Sequence, residues 1–178
     1  VMPKSHYRIN DVFYALQGEG LRAGTANVFV RFTGCNMKCE VEPGPLSPGG
    51  FDCDTEFASG RQLTVVELIE WIKKRNSGTN RWLILTGGEP GLQADAALID
   101  DLHAAGYKVA IETNGSVAVP STIDWITVSP KVAEHAIRQK KCDEVKYVRA
   151  YGQGIPKPTT VADNYLISPA FDADHSNQ

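Results

Sequence analysis

The sequence predicts an α/β fold, a partial, open (β/α)6-type parallel barrel with one enlarged, cysteine-bearing loop. Three observations carry that prediction. Apolar, β-branched runs alternate with stretches of helical periodicity, which implies parallel strands joined by right-handed crossovers. About six such runs can be counted, too few for a closed eight-stranded barrel. Polar motifs follow directly after strands, at the end of a parallel barrel where active sites assemble. The 178 residues suit a single domain with its own core.

Residues 6–14 read as a short edge strand and 15–25 as a glycine-rich loop. Residues 26–33, rich in Val and Phe, read as the first core strand. The enlarged loop follows. Thr64 and Glu67 form a capping box. Val65, Leu68, Ile69 and Ile72 then lie on one face of a helix that closes near Gly78. Trp82–Leu85 is a strand that runs into Thr86-Gly87-Gly88-Glu89-Pro90. A second helix starts near Asp95, carries Leu98, Ile99 and Leu102, and closes at Gly106. Tyr107–Ile111 is a strand ending in Glu112-Thr113-Asn114-Gly115, and Thr122–Val128 one ending in Ser129-Pro130-Lys131. Val132–Gln139 reads as a helix, Glu144–Val148 as a strand and 152–160 as a Gly/Pro loop. Tyr165–Ile167 is the last strand, ending in Ser168-Pro169-Ala170-Phe171-Asp172.

Hydrophobic residues make up 42% of the chain, charged residues 22%, and the net charge is −3. These values point to neither a nucleic-acid nor a membrane partner. The basic run Arg138-Gln139-Lys140-Lys141 reads as a solvated face. No apolar run is long enough for a bilayer, and the N-terminus shows no signal-peptide pattern. The expected setting is the cytoplasm, where the four cysteines stay reduced or bind metal.

Three of those cysteines share the loop, as Cys35-x3-Cys39-x13-Cys53. Residues 42–50 hold three prolines and three glycines, so the loop should be an irregular excursion. Thiolates select iron–sulfur clusters, zinc or Cu(I). Three thiolates can hold three corners of a cubane cluster and leave one iron open to a small molecule. A structural zinc would need a fourth ligand, from Cys142 or from His6, His103, His135 or His175. Both readings stand on the spacing alone.

A set of motifs spread along most of the chain adds a resemblance. These are Leu16-Gln17-Gly18-Glu19-Gly20, Arg31-Phe32-Thr33-Gly34-Cys35-Asn36, Cys53-Asp54-Thr55, TGGEP at 86–90, ETNG at 112–115 and Ser129-Pro130-Lys131. With Cys39 they resemble the radical S-adenosylmethionine superfamily and, within it, the 7-carboxy-7-deazaguanine synthases. The resemblance implies that Cys35, Cys39 and Cys53 bind a [4Fe–4S] cluster, making this an enlarged cluster-binding loop. It implies S-adenosylmethionine at the open iron, near Asp52, Cys53, Asp54, Gly88, Ser129, Pro130, Lys131, Ser168 and Pro169. Glu112 and Asn114 are candidates for its ribose hydroxyls, and Gly87 and Gly88 would let backbone approach its ammonium.

The implied substrate is a carboxylated tetrahydropterin, held by Leu16, Gln17, Gly18, Arg31 and Thr86, with Thr55 a ligand of Mg2+. Arg31 offers a fork suited to a carboxylate, and a salt bridge to Glu19 or Asp54 is its structural alternative. The implied reaction is a radical ring contraction with loss of ammonia, and no side chain is named as general acid or base. The resemblance also implies a homodimer and an electron donor such as flavodoxin or ferredoxin.

Three features differ from the superfamily pattern. Thirteen residues separate the second and third cysteines, and Asp52 occupies a position where an aromatic often precedes the third cysteine, with Phe51 one residue earlier. The family usually continues with a C-terminal segment over the substrate, whereas this chain ends at Gln178. A partner protomer or a missing segment would then close the mouth. Two alternatives remain: a glycyl-radical-enzyme activase of the same superfamily, and a non-catalytic zinc-stabilised binding module. Cys142 belongs to no motif and reads as a buried thiol.

Overall fold

The computed structural model describes residues 4–170. Phe171, Asp172 and His175 lie outside the described residues. Eight strands form one sheet: β1 (Tyr7–Leu16), β2 (Ala26–Phe32), β3 (Arg61–Leu63), β4 (Trp82–Gly87), β5 (Lys108–Thr113), β6 (Trp125–Val128), β7 (Lys141–Arg149) and β8 (Val161–Pro169). Their order is β3-β1-β2-β4-β5-β6-β7-β8. From β2 to β8 every neighbouring pair is parallel. β1 pairs antiparallel with both β2 and β3.

The parallel part of the prediction therefore holds, with an antiparallel extension added at one side. The segment expected to be a short edge strand is ten residues long and lies inside the sheet. The edge is β3, a three-residue strand too short to announce itself in sequence.

Two α-helices cover the sheet, α1 (Val65–Arg75) and α2 (Ala96–Ala104). The α1 capping box forms as expected: Glu67 N–H donates to the Thr64 hydroxyl, and the Glu67 carboxylate accepts from Thr64 N–H. The helix stops at Asn76, two residues before the expected glycine. Asp95 caps α2 by accepting from Leu98 N–H. Tyr7 O–H also donates to Asp95 at 2.8 Å, tying β1 to the helix start.

The expected helix over 132–139 is absent. Only a 3₁₀ turn forms, Glu134–Ala136, and no side chain caps its start at Ala133. Arg138 N–H and Gln139 N–H both donate to Gly115 carbonyl instead of bonding within a helix. Helical crossovers thus lie before β4 and β5 only.

Strand periodicity sorts side chains onto two faces. Val28, Val30, Phe32, Leu83, Leu85, Val109 and Ile111 pack with Leu68, Ile72, Leu98 and Leu102 in one core. Ile84 and Ala110 are buried but lie outside that cluster. They belong to the inner face, with Arg31 beside Thr86 and Glu112 beside Thr127 in register.

Candidate functional site

The cysteine loop is built onto the end of β4. Gly88 N–H donates to Phe32 carbonyl and Glu89 N–H to Gly34 carbonyl. A Cβ on Gly88 would lie 2.1 Å from Gly34 oxygen and 3.0 Å from Cys35 Cβ. At Gly87 φ is +124°, and a Cβ would lie 2.3 Å from Phe32 oxygen. The paired glycines are thus required where two main chains meet, before any ligand is considered.

Glu89 is fully buried and accepts from Thr113 O–H at 2.7 Å, Asn114 N–H at 2.7 Å and Gly91 N–H at 2.8 Å. Burial pushes its carboxyl up and these donors pull against it. It locks TGGEP to ETNG. Asn114 amide donates to Asn36 and Asn36 amide to Ser116, so the cysteine loop is fastened to the end of β5 as well. Asn114 is therefore a strut between loops.

The 40–52 insert is a closed excursion. Cys53 N–H donates to Cys39 carbonyl at 3.1 Å across its base. Buried Ser47 organises its interior. The hydroxyl donates to Glu40 carbonyl and accepts from the N–H groups of Glu40 and Gly49. The Asp52 carboxylate accepts from Val41 N–H, so this side chain is spent within the loop. The expected irregular segment is thus self-bonded.

A cavity of about 580 Å³ opens at the carboxyl ends of the strands. Cys35, Cys39 and Cys53 line it, together with Asp52, Asp54, Thr55, Thr86, Gly88, Ser129, Lys131, Ser168 and Pro169. Phe51 lines it too, and the Lys131 ammonium lies 5.5 Å from its ring centre. Lys131 donates to the Ser129 hydroxyl at 2.7 Å. Burial pushes that ammonium down, and Cys39 counters the shift. Burial pushes the Cys35 and Cys39 thiols up, with Lys131 opposing at Cys39. Thr55 O–H donates to Asp54 at 3.2 Å.

Other expected site residues stand off this lining. Pro130 lines an adjoining groove with Pro45 and Pro48. Leu16 is exposed and Gly18 has open space around it. Gln17 is buried, and its amide donates to Glu112 at 2.9 Å. Arg31 lies beside Thr86 in register, its guanidinium 5.1 Å from the Phe13 ring and its Nε buried without a partner. Glu19 pairs with Lys146, and among the described residues Arg31 forms no salt bridge with Glu19 or Asp54.

A charged cluster on the inner face went unread in the sequence. Lys146 donates to Glu19 and, at 3.1 Å, to Glu112. Glu144 accepts from Thr127 O–H and from Leu21 N–H. Burial pushes the Glu112 carboxyl up, Lys146 pulls against it, and the carboxylates Glu19 and Glu144 add to the rise. Lys146 is held up despite its burial because Glu112 and Glu19 face it. The signal was available in Glu144-Val145-Lys146: two charges one strand repeat apart, on one face of a strand that also carries Val145, Tyr147 and Val148.

The fourth ligands considered for zinc lie elsewhere. Cys142 is buried in β7, donates to Glu144 carbonyl, and its thiol is pushed up to about 12, chiefly by burial. His103 pairs with Asp124, and His6 bonds Ser5. His135 sits on the 3₁₀ turn. Among the described residues no three His, Cys, Asp or Glu side chains group around a single metal ion.

Three cysteines around a mouth at the carboxyl ends of a parallel sheet, with a Gly-Gly turn locked against them, define the radical S-adenosylmethionine class. No protein-family model matches the chain. It is 42% identical over 162 residues to a 7-carboxy-7-deazaguanine synthase of Bradyrhizobium diazoefficiens, covering 86% of this chain and 76% of that protein. It is 46% identical over 141 residues to one of Bacteroides thetaiotaomicron, covering 79% and 69%. The crystal structure of QueE from Escherichia coli matches with a TM-score of 0.61 at 26% identity, covering 80% of this chain and 70% of that one. The chain belongs to the 7-carboxy-7-deazaguanine synthase family.

Proposed function

We infer that the protein is a radical S-adenosylmethionine lyase that converts 6-carboxy-5,6,7,8-tetrahydropterin to 7-carboxy-7-deazaguanine with release of ammonia. The observation that carries this reading, beside family membership, is the gathering of Cys35, Cys39 and Cys53 with Gly88 and Lys131 around one cavity. The cysteines suit a [4Fe–4S] cluster: Cys142 and the described histidines stand elsewhere, so one iron would keep an open position. When bound, the reduced cluster and S-adenosylmethionine supply a 5′-deoxyadenosyl radical for hydrogen abstraction.

The chain's own residues bind and orient. Asp52, Asp54, Gly88, Ser129, Lys131, Ser168 and Pro169 border the cofactor space, with Pro130 in the adjoining groove. Lys131 would offer a point charge to a carboxylate. Arg31, whose Nε lacks an acceptor, and Thr86 beside it would receive the substrate carboxylate. Gln17, with Leu16 and Gly18 on the same loop, would meet the heterocycle from β1. Glu19 and Glu112 add acceptors for its N–H groups. Thr55 would give one oxygen to Mg2+, with water and substrate completing the shell.

We read the inner face as the concave side of a partial (β/α)6-type barrel in a single domain. We read the protein as a cytoplasmic homodimer reduced by a flavodoxin or ferredoxin. No helix among the described residues is long and apolar enough to cross a membrane. Family membership leaves neither the activase nor the zinc module favoured.

Oxygen-free reconstitution tests the reading. The wild type and Cys142→Ser should bind about four irons per chain with cluster absorption. Cys35→Ser, Cys39→Ser and Cys53→Ser should each lose it. The reconstituted wild type should form deazaguanine product from the pterin. A colourless zinc protein, or a cluster with no product, would refute the assignment.

A further inference from the structure

We propose that Lys146 is a positioning residue for substrate recognition: its ammonium fixes the place of Glu19 and Glu112, so that both carboxylates offer acceptors to the N–H edge of the bound heterocycle. This rests on the pterin reading above. The geometry is specific. The Lys146 side chain is 5% exposed, that of Glu112 21% and that of Glu19 57%. All three residues line the cavity. One ammonium carries three donors, and each carboxylate can accept more bonds than Lys146 supplies. Glu112 is held from the far side by the Gln17 amide. The aminopyrimidinone edge of a pterin presents a ring N–H and an exocyclic amine. Carboxylates are the strongest acceptors for such groups.

The charges facing the trio leave the Glu112 carboxylate dependent on Lys146. Glu144 lies on the same strand and raises the Glu112 carboxyl. Arg22, from the 17–25 loop, feels both Glu112 and Glu144 but donates to Asn27 and stacks 3.7 Å over Trp82. Lys131, after β6, donates to Ser129 instead. Among the described residues Lys146 alone pairs with both carboxylates. Without it, the like charges of Glu19 and Glu144 would push the Glu112 carboxyl further up, toward the protonated form that donates instead of accepting.

The test measures equilibrium binding of the tetrahydropterin to anaerobic, reconstituted enzyme without S-adenosylmethionine, from about pH 6 to about pH 9. Lys146→Met should weaken binding by about 10-fold or more at neutral pH. The deficit should shrink as rising pH removes a proton held on Glu112. Lys146→Arg should keep the wild-type pH profile. In turnover, Lys146→Met should raise KM by a larger factor than it lowers kcat. Unchanged binding in Lys146→Met, or a loss equal at every pH, would overturn the proposal. If the methionine variant does not fold, the arginine variant carries the test, and a shifted pH profile there would overturn it. Wild-type enzyme that fails to bind the pterin would instead reject the functional reading.

Discussion

On the outer face of the sheet, Val30, Leu85 and Val109 pack with Leu68, Ile72 and Leu98 in an aliphatic core. At alternate positions of the same strands, the inner face carries Arg31, Thr86 and Glu112. The outer face is held by non-directional burial, so its side chains are replaceable by others of similar shape. The inner face is held by directed bonds among charges, and those charges must satisfy one another until a ligand arrives. The contrast separates residues that hold the fold from residues that face chemistry.

The largest expected effect comes where the faces meet. Gly88→Ala would place a methyl 2.1 Å from Gly34 oxygen, and only main-chain movement can relieve that. The cysteine loop should shift, and iron content after reconstitution should fall to a small fraction of wild type. Normal iron content would show that the junction is softer than the contact implies.

Next comes a matched pair across the sheet. Leu98→Ala on the outer face should cost about 2–5 kcal/mol in urea unfolding. Glu112→Gln on the inner face should cost about 1 kcal/mol or less, because it relieves a buried charge while Lys146 keeps Glu19. It should nevertheless weaken pterin binding. Equal losses of stability would break the comparison.

The smallest effect concerns a carboxylate remote from both faces. Glu56 accepts from Ser59, Asn10 and Ala58, and these bonds, those from Ser59 first, hold its carboxyl at about 2. Its folded value lies below its unfolded value, so its contribution is complete above the ordinary carboxylate range. It fades as pH falls from about 4 toward about 2. Glu56→Gln should flatten that limb of a stability–pH curve, and an unchanged limb would remove Glu56 as its cause.

Elements with a strong local signal were legible in the sequence. Thr64 and Glu67 marked α1, Asp95 marked α2, and a Val/Phe run marked β2. The convergence of cysteines, TGGEP, SPK and Ser168-Pro169 on one mouth also followed from strand-end placement. Other elements depend on tertiary partners that no local pattern encodes. β3 exists because Tyr7, Arg8 and Ile9 pair with it. The 132–139 segment forgoes a helix because Gly115 carbonyl takes its N–H groups. Glu19, Glu112 and Lys146 come from three distant segments, so their meeting is a property of the sheet.

The bond from Cys53 N–H to Cys39 carbonyl makes the intervening segment a pinched bight. Residues could be added or trimmed beyond that neck while the sulfurs at its two ends kept their separation. Spacing between these ligands is then a poor ruler for kinship. The same stretch is a natural place to graft a tether or a reporter within reach of the three sulfurs.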